Sequence, residues 1–144
     1  MFIENNKKIN QGDDIMPLVR FDLQKGRSPE QIKRILDVTH TVVVDVFKVP
    51  QRDRYQIVTQ HEPYEMVIQD TGLGFERSEK VVVISITSSP RKKEDIIKFY
   101  KTLAERLAAN QLVDPKDLMV NMVLNTKENW SFGYGKAQFL TGEL

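Results

Sequence analysis

Apolar and polar positions follow one plan twice along this chain. From Pro17, "PLVRFDL" alternates apolar with polar residues, the two-residue period of a half-buried strand. Gly26 and Arg27 interrupt it, and Ser28-Pro29-Glu30-Gln31 reads as a helix start. Ser28 supplies a cap, Pro29 suits the first helical position, and Gln31 completes a capping box. Ile32, Ile35, Leu36, Thr39, Val43 and Val46 follow at helical spacing and predict one apolar face, which Val49-Pro50 ends. "DRYQIVTQ", from Asp53 to Gln60, predicts a second strand.

The second copy opens with "KVVVISIT", a β-branched run suited to a central strand. Ser88-Ser89-Pro90-Arg91 leads into a helix with expected core positions Ile96, Ile97, Tyr100, Leu103, Ala104 and Leu107. "VDPKD" breaks that helix, and "LMVNMVL" (Leu118 to Leu124) is the expected last strand. Arg27 and Arg91 lie 64 positions apart, as do Asp53 and Asp117. The pattern predicts a β-α-β-β-α-β chain of the α+β class. Each strand pair is parallel because a helix crosses between its members, and two helices cover one face of a four-stranded mixed sheet.

The two copies are joined by a long connection, His61 to Glu79, in which Met66 to Ile68 is expected to add a short strand. Connections of this length often carry a functional or interface role. Its glycines match neither phosphate-cradling pattern. After Leu124, Trp130, Phe132, Tyr134 and Phe139 alternate with small and polar residues. This tail reads as a hairpin or arm packed against a neighbouring subunit.

Composition narrows the class. The 144 residues make one domain with room for a core. With 21 basic against 20 acidic residues the net charge is +1, which leaves no electrostatic footprint for nucleic acid or an anionic membrane. The absence of cysteine excludes disulfides and thiol chemistry. No apolar run approaches the roughly 20 residues of a membrane span. "MFIENNKKINQGDDI" is polar and lacks the apolar segment of a secretory signal. A cytoplasmic location is expected.

Single residues say less. His40 and His61 have no second histidine or carboxylate at ligand spacing, so no metal site is expected. Arg91 opens a helix directly after a strand, where it either grips a carboxylate beside free helix amides or is a solvated first-turn residue. Asp53 begins a strand after a turn, where an aspartate commonly bonds its own backbone.

The joint pattern points further. "MPLVRFDLQKGRS", "VPQRDRYQIVTQHEPYEMVIQDTGLGFERS", "SSPR" and "NWSFGYGKAQFLTGEL" closely resemble malonate semialdehyde decarboxylase and its relatives in the tautomerase superfamily. The resemblance runs from Met16 to Leu144. It implies a homotrimer, no cofactor, and catalysis by an amino-terminal proline, which Pro17 matches. By the same resemblance Asp53 assists at the carbonyl or at water, and Arg91 binds the substrate. Trp130, Phe132, Phe139 and Leu144 wall the pocket. One departure bears on the reaction: Ser89 stands where the decarboxylase pattern has an arginine before the proline, so only Arg91 remains of two cations.

Inside a chain, proline nitrogen is an amide without usable basicity. At a terminus it is a secondary amine, and terminal amines titrate near 8. Apolar walls and a nearby guanidinium lower that value, toward what proton abstraction beside a carbonyl requires. Residues 1–16 are therefore expected to be a leader outside the working enzyme, and residues 17–144 its single domain. The expected activity is tautomerisation of small 2-oxo or 2-enol acids, with decarboxylation or hydration of a semialdehyde as the alternative. If the chain instead starts at Met1 in the cell, a non-catalytic binding module of the same β-α-β-β-α-β order is the competing expectation.

Overall fold

The computed structural model describes residues 17–70 and 72–143. The expected leader and the expected pocket residue Leu144 lie outside the described residues. The main elements are β1 (Leu18–Gln24), α1 (Pro29–Phe47), β2 (Tyr55–His61), β3 (Val82–Ser88), α2 (Lys93–Ala109) and β4 (Leu118–Leu124). The sheet order is β2-β1-β3-β4, with β1 parallel to β2, β3 parallel to β4, and β1 antiparallel to β3. This is the α+β repeat that the sequence pattern predicts. The 64-residue offset holds between β1 and β3 and between the two helix starts. It becomes 63 from Tyr55 to Leu118, so one extra residue stands between Asp53 and its strand.

Strand alternation decides which face is covered. Val19, Phe21 and Leu23 of β1 and Val82, Ile84 and Ile86 of β3 are buried in one core cluster with residues of both helices. Each such side chain contributes roughly 1.5–3 kcal/mol by leaving water. On the other face Tyr55, Ile57 and Val123 stay exposed. The start of α1 is fixed as expected. Ser28 Oγ accepts from the Gln31 N–H at 3.2 Å, and Gln31 Oε1 accepts from the Ser28 N–H at 2.9 Å. Its end is set by Lys48, whose left-handed backbone (φ 57°) turns the chain out and donates to the Val44 carbonyl.

Three expectations are corrected. Ile97 and Tyr100 of α2 are exposed rather than core, while Phe99 is fully buried. "DIIKFY" offers two adjacent apolar lines about 100° apart, and packing selects the one containing Phe99, which stacks on Phe47 of α1 with centroids 4.9 Å apart. Met66 to Ile68 forms no strand. This connection is held by side chains instead: Arg77 grips Asp70 with two nitrogens and donates to the Lys116 carbonyl. The tail is not a hairpin. It forms a 3-10 turn at Lys127–Asn129 and a short helix, α3 (Gln138–Thr141), and its Phe139 is buried within its own chain.

Candidate active site

Pro17 directly precedes β1 and is buried. Leu18 pairs with Tyr55 on one side and Thr87 on the other. Pro17 therefore stands at the end of the sheet where β1 and β2 begin and β3 and β4 finish. Asp53 lies two residues before β2 and Arg91 three after β3, so the fold gathers all three at that one end.

The approach to β2 is pinned to α1. Arg54 donates to Asp37 Oδ1 and to Gln56 Oε1, each at 2.7 Å, and Gln56 Nε2 donates to the Leu36 carbonyl at 2.8 Å. That contact holds the Asp37 carboxyl below its ordinary value, the Arg54 hydrogen bond being the largest cause. Asp53 N–H closes a turn onto the Pro50 carbonyl at 3.0 Å. Among the described residues no hydrogen bond or ion pair takes up the Asp53 carboxylate, so the expectation of a turn aspartate bonded to its own backbone is not met.

Its counterpart in the repeat behaves otherwise. Asp117 is buried, and its two oxygens accept from the backbone N–H and the hydroxyl of Ser78, both at 2.7 Å. Arg27, the counterpart of Arg91, donates to the Lys80 carbonyl at 2.9 Å. One end of the repeat is closed by satisfied polar contacts. At the other, the same residue types leave a carboxylate available.

Arg91 is a placed side chain rather than a solvated first-turn residue. Its Nε donates to Ser88 Oγ at 3.1 Å, and Nη1 reaches the Phe47 carbonyl at 3.5 Å. The guanidinium lies 5.0 Å from the centroid of the Phe47 ring. It borders a cleft of about 280 Å³ that is also lined by Phe47, Lys48, Pro90, Lys92 and Asp95. Three cations against one acid make this cleft attractive to a small anion.

The aromatic tail comes to the same end of the sheet. Asn125 N–H donates to the Ser88 carbonyl at 2.8 Å, carrying the β3–β4 ladder one residue further. Asn125 Oδ1 accepts the indole N–H of Trp130 at 2.8 Å. Trp130 stacks on Phe132 (5.4 Å between centroids, 5° between planes), and Phe139 meets Phe132 edge-on at 5.0 Å. Phe132 then packs on Tyr55 at 5.9 Å. The tail leaves the edge strand β4 and reaches the opposite edge, β2, crossing the end of the sheet at which Pro17 stands.

The histidines are elsewhere employed. His40 Nε2 contacts the Gln51 carbonyl at 2.7 Å, and His61 Nε2 lies 2.7 Å from Asp22 Oδ1 near the other end of the sheet. Asn125, Tyr55 and Ser88 were not among the sequence candidates. A lone tryptophan in a short tail signals that some acceptor is needed, but its spacing does not identify which.

A family model described as tautomerase enzyme matches residues 53–133, more than half the chain, and a second of the same description matches residues 17–76. This chain belongs to the tautomerase superfamily. As a superfamily enzyme it is not a stand-alone binding module. Probable tautomerase YrdN of Bacillus subtilis (strain 168) is 54% identical over 129 residues, covering 90% of this chain and all of that protein. Among solved structures, malonate semialdehyde decarboxylase, described with decarboxylase and hydratase activities, superposes with a TM-score of 0.83. It is 49% identical and covers 88% of this chain and 98% of its own. FG41 malonate semialdehyde decarboxylase, solved with 3-bromopropiolate as inhibitor, gives a TM-score of 0.82 at 40% identity, with 88% and 97% of the two chains covered. The tautomerase is thus of the malonate semialdehyde decarboxylase-like kind.

Proposed function

We propose that this enzyme tautomerises small 2-oxo and 2-enol acids, with Pro17 as the proton carrier once its nitrogen is an amino terminus. The observation that carries this reading is the convergence of Pro17, Asp53 and Arg91 on one end of the sheet. The proline nitrogen accepts the enol hydroxyl proton as the carbonyl forms, and the resulting ammonium delivers a proton to the neighbouring carbon. No proton is gained or lost over the cycle. Arg91 holds the carboxylate by a charge-assisted contact, and Asp53 orients the oxygen side, directly or through water. Trp130, Phe132, Phe139 and Leu144 are assigned to the pocket wall, whose apolar character favours the uncharged amine.

The second reading, decarboxylation or hydration of a semialdehyde, is favoured by the 49% identity to malonate semialdehyde decarboxylase. In it a protonated Pro17 polarises the carbonyl, carbon dioxide leaves, and the carbanion is protonated. The single arginine of Ser89-Pro90-Arg91 supports tautomerisation as the first reading, because a carboxylate meets one guanidinium in that motif instead of two. Assay of protein beginning at Pro17 with phenylenolpyruvate and with malonate semialdehyde decides between them. Decarboxylation far exceeding tautomerisation would reverse the order.

The proposed assembly is a homotrimer. Tyr55, Ile57 and Val123 on the uncovered sheet face, with Tyr64 and Val67 in the connection, are apolar groups that a partner copy would remove from water. A monodisperse monomer in light scattering would exclude it.

A further inference from the structure

We propose that Gln138 is a positioning residue for this site, setting the aromatic wall through its side-chain amide. Gln138 Oε1 accepts the Phe132 N–H at 2.9 Å, and Gln138 Nε2 donates to the Gly133 carbonyl at 2.9 Å. A single carboxamide thus serves as acceptor for one backbone group and donor to the next, as a neighbouring strand does. Among the described residues no strand pairs with Phe132 and Gly133, since the tail beyond β4 joins no ladder there.

The loop between these residues has little means of holding itself. Gly133, Tyr134 and Gly135 all have positive φ (147°, 55° and 65°), and the turn is closed by Lys136 N–H onto the Gly133 carbonyl at 3.1 Å. Tyr134, at the tip, is fully exposed. The apolar contacts of the loop therefore lie at its two ends, in Phe132 and Phe139, and the Gln138 amide ties those ends together. Phe132 is the ring at which Trp130, Phe139 and Tyr55 meet. A shift of its backbone moves the whole wall relative to Leu18, the Tyr55 partner that follows Pro17.

This inference rests on the proposed reading for its effect on substrate, but not for its effect on the wall. Trp130 is the only tryptophan of the chain, so its emission and quenching report the Trp130–Phe132 stack without any need for turnover. In the Pro17-initiated protein, Gln138→Ala is expected to raise acrylamide quenching of Trp130 about two-fold, with unchanged far-UV circular dichroism. KM for phenylenolpyruvate is expected to rise about three- to ten-fold, with kcat falling less. Gln138→Glu retains the acceptor for Phe132 N–H and loses the donor to Gly133, so it should fall between wild type and Gln138→Ala. Unaltered Trp130 quenching in Gln138→Ala would overturn the inference, as would altered quenching with an unchanged KM. Absence of turnover already in the wild type would instead overturn the functional reading, which is a separate result.

Discussion

Trp130 Nε1 donates to Asn125 Oδ1 at 2.8 Å, and Asn125 is also the residue whose backbone N–H continues the β3–β4 ladder onto Ser88. The same asparagine therefore belongs to the sheet and to the aromatic wall. Removing its side chain leaves a half-buried indole N–H without an acceptor, at a cost of about 1–2 kcal/mol. Asn125→Ala should shift Trp130 emission to longer wavelength and raise KM, while Asn125→Asp, which keeps an acceptor, should hold the wild-type spectrum. Equal spectra for all three proteins would show that the contact does not hold the ring.

The proline nitrogen is testable by addition as well as by removal. Protein carrying residues before Pro17 should fold and lack the base, lowering kcat/KM by about 10²–10⁴, the usual worth of a placed general base. Folding should be unaffected, because a proline at the start of a strand has no ladder donor to lose. Pro17→Ala at the amino terminus retains a primary amine and should keep part of the activity. Equal turnover by long and short forms, with the long form intact by mass, would exclude this chemistry.

For Arg91 the expected loss is in binding. Arg91→Ala removes the charge-assisted partner of the carboxylate, at about 1.5–3 kcal/mol, and should appear mainly as a raised KM for carboxylated substrates. The Ser88 and Phe47 contacts orient a planar fork, so Arg91→Lys should recover little. A KM unchanged in Arg91→Ala would remove this residue from the site.

Asp53 and Asp117 make a matched comparison within one chain. Asp117→Ala leaves the Ser78 N–H and hydroxyl without acceptors and should destabilise the fold by about 2–4 kcal/mol in urea titration. Asp53→Ala should scarcely change the urea midpoint and should lower kcat, since no described residue depends on that carboxylate. The reverse pattern, an unstable Asp53→Ala with full turnover, would make Asp53 structural.

Asp37 predicts a pH dependence of small size. Its carboxyl is held below the ordinary value by Arg54, so the stabilisation is fully present above about pH 4 and is lost as pH falls through the lowered value. Both side chains are more than a third exposed, and solvent screening keeps the contribution below about 1 kcal/mol. Asp37→Asn should melt slightly below wild type at pH 7 and together with it in strong acid. A gap that persisted in acid would mean that the substitution acts through packing instead.

The sequence by itself determined the repeat, the fold class and the start of α1, while β2 begins at Tyr55, two residues after the expected Asp53. Strand alternation and the Ser28–Gln31 capping box are local preferences, and the fold agrees with both, whereas α1 ends at Lys48, before Val49-Pro50. The 64-residue offset was legible for the same reason, since equivalent elements repeat equivalent local signals. What the sequence left open depended on which neighbours met. In α2, two apolar lines were equally good until Phe47 met Phe99. Met66 to Ile68 is a short apolar run without a ladder to join. Trp130, Phe132 and Phe139 found partners in Tyr55 and in each other, which no spacing along the chain expresses. Asp53 and Asp117 are the same residue at the same offset, and only the tertiary structure separates them. The Ser78 loop folds back onto one carboxylate and satisfies it, while nothing described reaches the other. A side chain's availability is fixed by what packs beside it, and that is a property of the assembled fold.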